Sequence, residues 1–156
     1  MYPKIDDYKR EVIITQYLSE TEMCSLHATC DCLVAPSFGE AWCIPAFDAM
    51  GFGSTPICSN VGGPADFLKD AGFLVECTEE PVFGMTDTFS DIYVGRENWW
   101  NISVNGLRKQ MRELYELWKN DGTAYSALQA KGLERVQEYS YEKVGQMIKQ
   151  ELENGN

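Results

Sequence analysis

The chain has 156 residues, 44% of them hydrophobic, enough to bury the core of one ordinary domain. Thirteen Lys and Arg stand against 24 Asp and Glu, a formal net charge of -11 that argues against a nucleic-acid partner, because a phosphate backbone would be repelled. No stretch reaches the ~18 consecutive apolar residues of a membrane span and the N-terminal segment lacks a signal-peptide core, so a cytoplasmic protein is expected, with any membrane association peripheral and made through another domain.

In chain order, Val12 to Gln16 reads as a short β-branched strand, and Ser19, Glu20 and Glu22 supply helix-start chemistry for a segment ending near Thr29. Asp31 to Ala35 is a compact apolar run stopped by Pro36, as a strand buried on both faces of a parallel sheet would be. A helix is expected from Ala41 to Met50, with Pro45 in its first turn, where a missing N–H is tolerated. Thr55 to Ser59 and Gly72 to Glu76 read as further strands, joined through a loop over Asn60 to Pro64. Strand, helix, strand, helix, strand with short links predicts an α/β fold with a Rossmann-like doubly wound parallel sheet. Ligands in such sheets bind at the carboxyl ends of the strands.

Thr78 to Asn98 shows no period and reads as a loop. Beyond it Val104, Leu107, Met111, Leu114 and Trp118 recur at three- and four-residue spacing, the pattern of a long amphipathic helix. Asp121 and Gly122 end it, Ala124, Leu128 and Val136 mark a second helix, and Ser140 caps a third with Tyr141, Val144, Ile148 and Leu152 on its apolar face. No linker or repeat divides the chain, so residues 1–156 form a single domain with additional C-terminal helices.

The chemistry concentrates in APSFGEAWCIPAFDAM, residues 35–50. With a helix starting just after Glu40, Asp48 would lie on the order of 10 Å further along and within about 80° of the same face. The free N–H groups of Ala41, Trp42, Cys43 and Ile44 would form a phosphate site between the two carboxylates. The bland alternative is an acidic residue favoured by the helix dipole. Cys24, Cys30, Cys32, Cys43, Cys58 and Cys77 contain no C-x-x-C pair and have only His27 to complete a metal set, so buried free thiols are expected, with a reactive Cys43 as the alternative.

The order PSFGEAWCIPAFDAMGFGSTPICSNVGG resembles the signature of retaining glycosyltransferases of the GT-B architecture, in particular the family 4 group. The elements are Pro36-Ser37, Glu40, Asp48 after seven intervening residues, Ala49-Met50, Gly53 and Thr55-Pro56-Ile57. The likeness runs from Val12 to Glu76, and YSYEKV near the end resembles the start of that family's last helix. The resemblance implies the C-terminal, donor-binding domain of an enzyme that transfers a sugar, with retention, from a nucleotide-diphosphate sugar to an unidentified acceptor in polysaccharide or glycolipid synthesis. Glu40 then holds the transferred sugar and Asp48 the ribose hydroxyls, with a reach one methylene shorter than the usual Glu. Gln16, Tyr17 and Leu18 take the place where the backbone grips the base, a strand end with a hydrophobic contact being the alternative. Gly62 and Gly63 match the small loop beneath the donor, left-handed turn geometry being the alternative, and Asp66 stands where an acidic residue often follows. Phe38 and Gly39 precede Glu40, and Phe38 and Trp42 are candidates to wall the sugar pocket, core burial being the alternative.

The resemblance implies no cofactor and no metal, the nucleotide sugar being substrate. It also implies an arginine and lysine clamp for the diphosphate, which Lys4, Lys9 and Arg10 do not match, and an acceptor-binding N-terminal domain as partner, absent from this sequence. The expectation is a fragment of a longer chain that is inactive alone. The rival is a non-catalytic nucleotide-binding or protein-interaction module of the same fold. A signalling domain of the response-regulator type would need an acidic cluster at its first strand ends, which Asp31, placed before its strand, does not supply.

Overall fold

The computed structural model describes residues 11–82, 93 and 96–155. Three parallel strands, β1 (Cys32–Ala35), β2 (Thr55–Ser59) and β3 (Phe73–Val75), form a sheet in the order β1-β2-β3. Cys32 pairs with Thr55, Ala35 with Cys58, and Ile57 with Phe73. Helix α1 (Glu20–Thr29) precedes β1, α2 (Ile44–Gly51) crosses from β1 to β2, and the short α3 (Gly62–Phe67) leads toward β3. A second pair of strands, β4 (Cys77–Pro81) and β5 (Asn98–Ile102), runs antiparallel, and α4 (Val104–Asn120), α5 (Gly122–Glu138) and α6 (Tyr141–Asn154) complete the chain.

Side-chain alternation along the strands divides the core between the two faces of the sheet. Cys58 joins Ala46, Met50, Phe67, Leu68 and Ala71 on the face covered by α2 and α3. Ile57 and Val75 point the other way, against Leu114 of α4 and Tyr125 of α5. Helices on both faces of a parallel sheet make this an α/β, Rossmann-like domain. Met50, Ile57 and Phe67 are fully buried, each contributing about 1.5–3 kcal/mol relative to an exposed position.

The helix starts follow the sequence chemistry. Ser19 caps α1 in a reciprocal capping box with Glu22, and Ser103, Asp121 and Ser140 accept from Gly106, Ala124 and Lys143 at the starts of α4, α5 and α6. Helix α5 fastens the two loops that lead into β1 and β2. The Tyr125 hydroxyl donates to the Asp31 carbonyl at 2.7 Å, and Gln129 Nε2 donates to the Gly53 carbonyl at 2.6 Å.

Several expectations are corrected. Val12 to Gln16 is not a strand: it is extended and exposed, Val12 by 86%, because β-branched residues become a strand only where a neighbour supplies ladder partners. Helix α2 begins at Ile44 instead of Ala41, since Cys43 adopts a left-handed conformation (φ 59°) that helical geometry excludes. Residues 60–64 are not all loop, because Gly62 opens α3. The aperiodic stretch 78–98 carries β4 and the first residue of β5 at its ends, while residues 83–92 and 94–95 lie outside the described residues. Val34 of β1 is exposed, not buried on both faces, as an edge strand permits. In the C-terminal helices the apolar stripes are only partly used. Leu114 is the one buried residue of α4 and no residue of α6 is buried.

Candidate functional site

The site is built at the carboxyl ends of β1 and β2, where three contacts draw the connecting loops together. Ser59, at the end of β2, is fully buried. Its hydroxyl donates to the Ser37 carbonyl at 2.7 Å and accepts from the Ser37 N–H at 3.0 Å. One side chain thereby satisfies both main-chain groups of the residue after Pro36. Three residues on, Glu40 lies half-buried in the loop that leads to α2.

The start of α3 closes against this segment. The Gly63 N–H donates to the Ala41 carbonyl at 2.9 Å. Gly62 has φ +56°, and a Cβ placed on it would stand 1.7 Å from the Glu40 carbonyl oxygen. A Cβ on Gly63 would meet the Ala41 oxygen at 2.6 Å. Only hydrogen-sized side chains allow these two backbones to touch, so the glycine pair fixes the height of the Glu40 loop above the sheet.

Cys43 links that loop to the core. It is buried and packs with Cys58 of β2, and its thiol interacts with the Glu40 carboxylate. Burial pushes the Cys43 thiol above its usual range, with Glu40 adding to the effect, so the reactive-thiol alternative is not supported. All six cysteines are free. Cys58 is buried with Cys43, Cys24, Cys32 and Cys77 are half-buried, and Cys30 is exposed. Among the described residues no group of three or more His, Cys, Asp or Glu could hold a metal ion.

The later start of α2 removes most of the expected phosphate donors. Ala41, Trp42 and Cys43 precede the helix, Pro45 has no N–H, and the N–H groups of Ala46 and Phe47 both go to the Cys43 carbonyl. Of the first turn, the exposed Ile44 offers the remaining amide. Glu40 and Asp48 are consequently not related by one helix, and the predicted helical geometry between them does not hold.

Asp48 is exposed on α2 and lines a cleft of about 890 Å³ together with Gln16, Tyr17 and Leu18, and with Pro45 and Phe52. Residues 16–18 and Asp48, separated by some thirty positions in the chain, are therefore brought together. Tyr17 is 95% exposed, so the wall it offers is open. Glu40, Gly62 and Gly63 form a separate group that does not line this cleft. Asp66 is exposed on α3. Lys4, Lys9 and Arg10 lie outside the described residues.

The two candidate pocket aromatics part company. Trp42 packs among Phe47, Phe67 and Tyr139 with ring centroids 5.0–5.4 Å apart, the core alternative. Phe38 is 48% exposed, and its ring stacks on Trp99 of β5 at 4.3 Å. Gly39, between Phe38 and Glu40, is exposed. Ser59 and Trp99 were not among the residues singled out by sequence. A serine inside a strand carries no signal for its loop partner, and Trp99 falls in an aperiodic stretch.

Comparison with curated protein sequences gives no match. Residues 6–82 match the profile of a family described as Glycosyl transferases group 1, which supports a GT-B glycosyltransferase domain over the segment that holds Glu40, Asp48 and the glycine pair.

Proposed function

We propose that the chain is the donor-binding domain of a retaining glycosyltransferase of the family 4 type, moving a hexose from a nucleotide-diphosphate sugar to an acceptor held by a separate N-terminal domain. The observation that carries this reading is the shared cleft of Asp48 with Gln16, Tyr17 and Leu18, inside the segment that matches the glycosyltransferase profile. A ribose held by the Asp48 carboxylate would set the base against residues 16–18. The diphosphate would run past the Ile44 amide toward Glu40, which holds the sugar. Each assignment stays within what these side chains offer: Asp48 and Glu40 accept hydrogen bonds from hydroxyls, and main-chain amides donate to phosphate oxygens. Retention proceeds by front-face transfer, with leaving-group charge met by donors and without a covalent glycosyl-enzyme.

The rival module without catalysis gains one point from the structure, the loss of three of the four expected helix-start amides. Calorimetric titration with UDP, GDP and ADP, each with and without its sugar, separates the two readings. Donor binding predicts saturable uptake of one nucleotide, weakened about five- to twentyfold by Asp48→Ala through loss of charge-assisted hydrogen bonds. A folded protein whose nucleotide binding ignores Asp48→Ala refutes the assignment of the ribose.

A further inference from the structure

Phe38 combines exposure with rigidity. An exposed phenylalanine ordinarily keeps its rotamer freedom and gains little from order. Here the ring is clamped from behind by Trp99, 4.3 Å away at an interplanar angle of 17°. Its main chain is pinned as well, because the Trp100 N–H donates to the Phe38 carbonyl at 2.8 Å. The preceding residue, Ser37, is held on both of its polar groups by Ser59. The strand pair β4–β5 thus reaches across more than fifty residues of sequence to hold one aromatic ring still, with 48% of the residue left open. Core packing does not account for that arrangement, since neither hydrophobic cluster includes Phe38 or Trp99.

A pre-organised ring with an open face is suited to a ligand that is flat and apolar on one side and polar around its rim. A pyranose has that character: its axial C–H groups pack on an aromatic face while its hydroxyls seek carboxylates and amides. Both kinds of partner are at hand. Glu40 follows Phe38 by two residues, and Glu80 lies opposite Trp99 in the strand register, where it accepts from Asn101 Nδ2 at 2.9 Å.

We propose that Phe38, backed by Trp99, is a stacking platform for the C–H face of a pyranose ring lying beside Glu40. The proposal rests on the reading of Glu40 as the residue that faces sugar. Phe38 makes the contact, and Trp99 is a positioning residue that fixes the ring.

Saturation-transfer NMR on the chain tests it, with methyl α-D-glucopyranoside and methyl α-D-mannopyranoside as free rings, and UDP-glucose and GDP-mannose compared with UDP and GDP. Transfer to ring C–H protons is expected, with affinity falling roughly three- to tenfold in Phe38→Ala and Trp99→Ala and kept in Phe38→Tyr and Trp99→Phe. Transfer confined to the nucleotide sugars assigns the platform to the donor ring. Transfer to the free glycosides too assigns it to an acceptor glycan. Absence of transfer to any pyranose, or transfer unchanged in Phe38→Ala, overturns the proposal. Phe38→Ala removes a half-exposed ring and Phe38→Tyr preserves the stack, so the test does not depend on Trp99→Ala folding. Asp48-dependent nucleotide binding that ignores Phe38→Ala sinks the platform and spares the donor-domain reading. Phe38-dependent glycoside binding by a protein that takes no nucleotide does the reverse.

Discussion

Replacing Gly62 by alanine tests the contact between the two loops that frame Glu40. The added methyl would stand 1.7 Å from the Glu40 carbonyl oxygen and 2.9 Å from its carbon, both backbone atoms that cannot rotate away. The φ of +56° adds a left-handed penalty of about 1–2 kcal/mol for a residue with a Cβ. Moving one loop off the other would also sacrifice the Gly63 to Ala41 hydrogen bond, worth about 1 kcal/mol. Together with lost packing, a destabilisation of at least ~3 kcal/mol follows, a large part of the ~5–15 kcal/mol that holds a domain. For a chain of this size that lowers the thermal midpoint by about 6–12 °C. Gly39→Ala is the control, since nothing lies within 4 Å of its Cβ position. Thermal and urea unfolding of both variants read the difference. A Gly62→Ala midpoint equal to that of Gly39→Ala would refute the close approach.

Three further outcomes follow from the core. Burial holds the Cys58 thiol far above its ordinary range and raises Cys32 to about 11 from 9.0. Unfolded thiols therefore lose protons first, so stability is intact below about pH 8.5 and declines as pH climbs from there toward 11, with Cys58→Val flattening the decline in urea titrations run across that range. With a thiol-specific reagent, the exposed Cys30 should react first and the buried Cys43 and Cys58 only as fast as the protein opens, which counting of modified thiols against time will show. Tyr125→Phe, which removes the hydroxyl that donates to Asp31 across α5 and β1, should cost about 0.5–1.5 kcal/mol in urea unfolding without altering nucleotide binding.

What the sequence revealed is what local chemistry decides. Ser19 with Glu22, and Ser140 before its apolar stripe, announce helix starts because the capping atoms lie three residues from their partners. The run TPICS is legible as β2 because a short apolar segment bounded by turn residues has few other uses. The failures share a different cause. Val12 to Gln16 has the composition of a strand, but pairing depends on a neighbour that composition does not specify. The left-handed Cys43 delays α2 although cysteine gives no warning of positive φ. Within the site, Glu40 and the glycine pair could be named from their motif, whereas the approach of Gly62 to Glu40 and the clamp of Trp99 on Phe38 are long-range contacts that no local pattern carries.

The open side of β1 bears on how the protein behaves in solution. Among the described residues no strand covers that edge, and the exposed Val12, Ile13 and Ile14 form a β-branched segment with its own ladder groups unused. Two molecules can satisfy each other there, which is the geometry from which intermolecular sheets grow. The charge of -11 opposes the encounter, over a screening length of about 30 Å at 0.01 M salt but only about 8 Å at 0.15 M. Added salt therefore shortens the range over which this charge keeps two such edges apart.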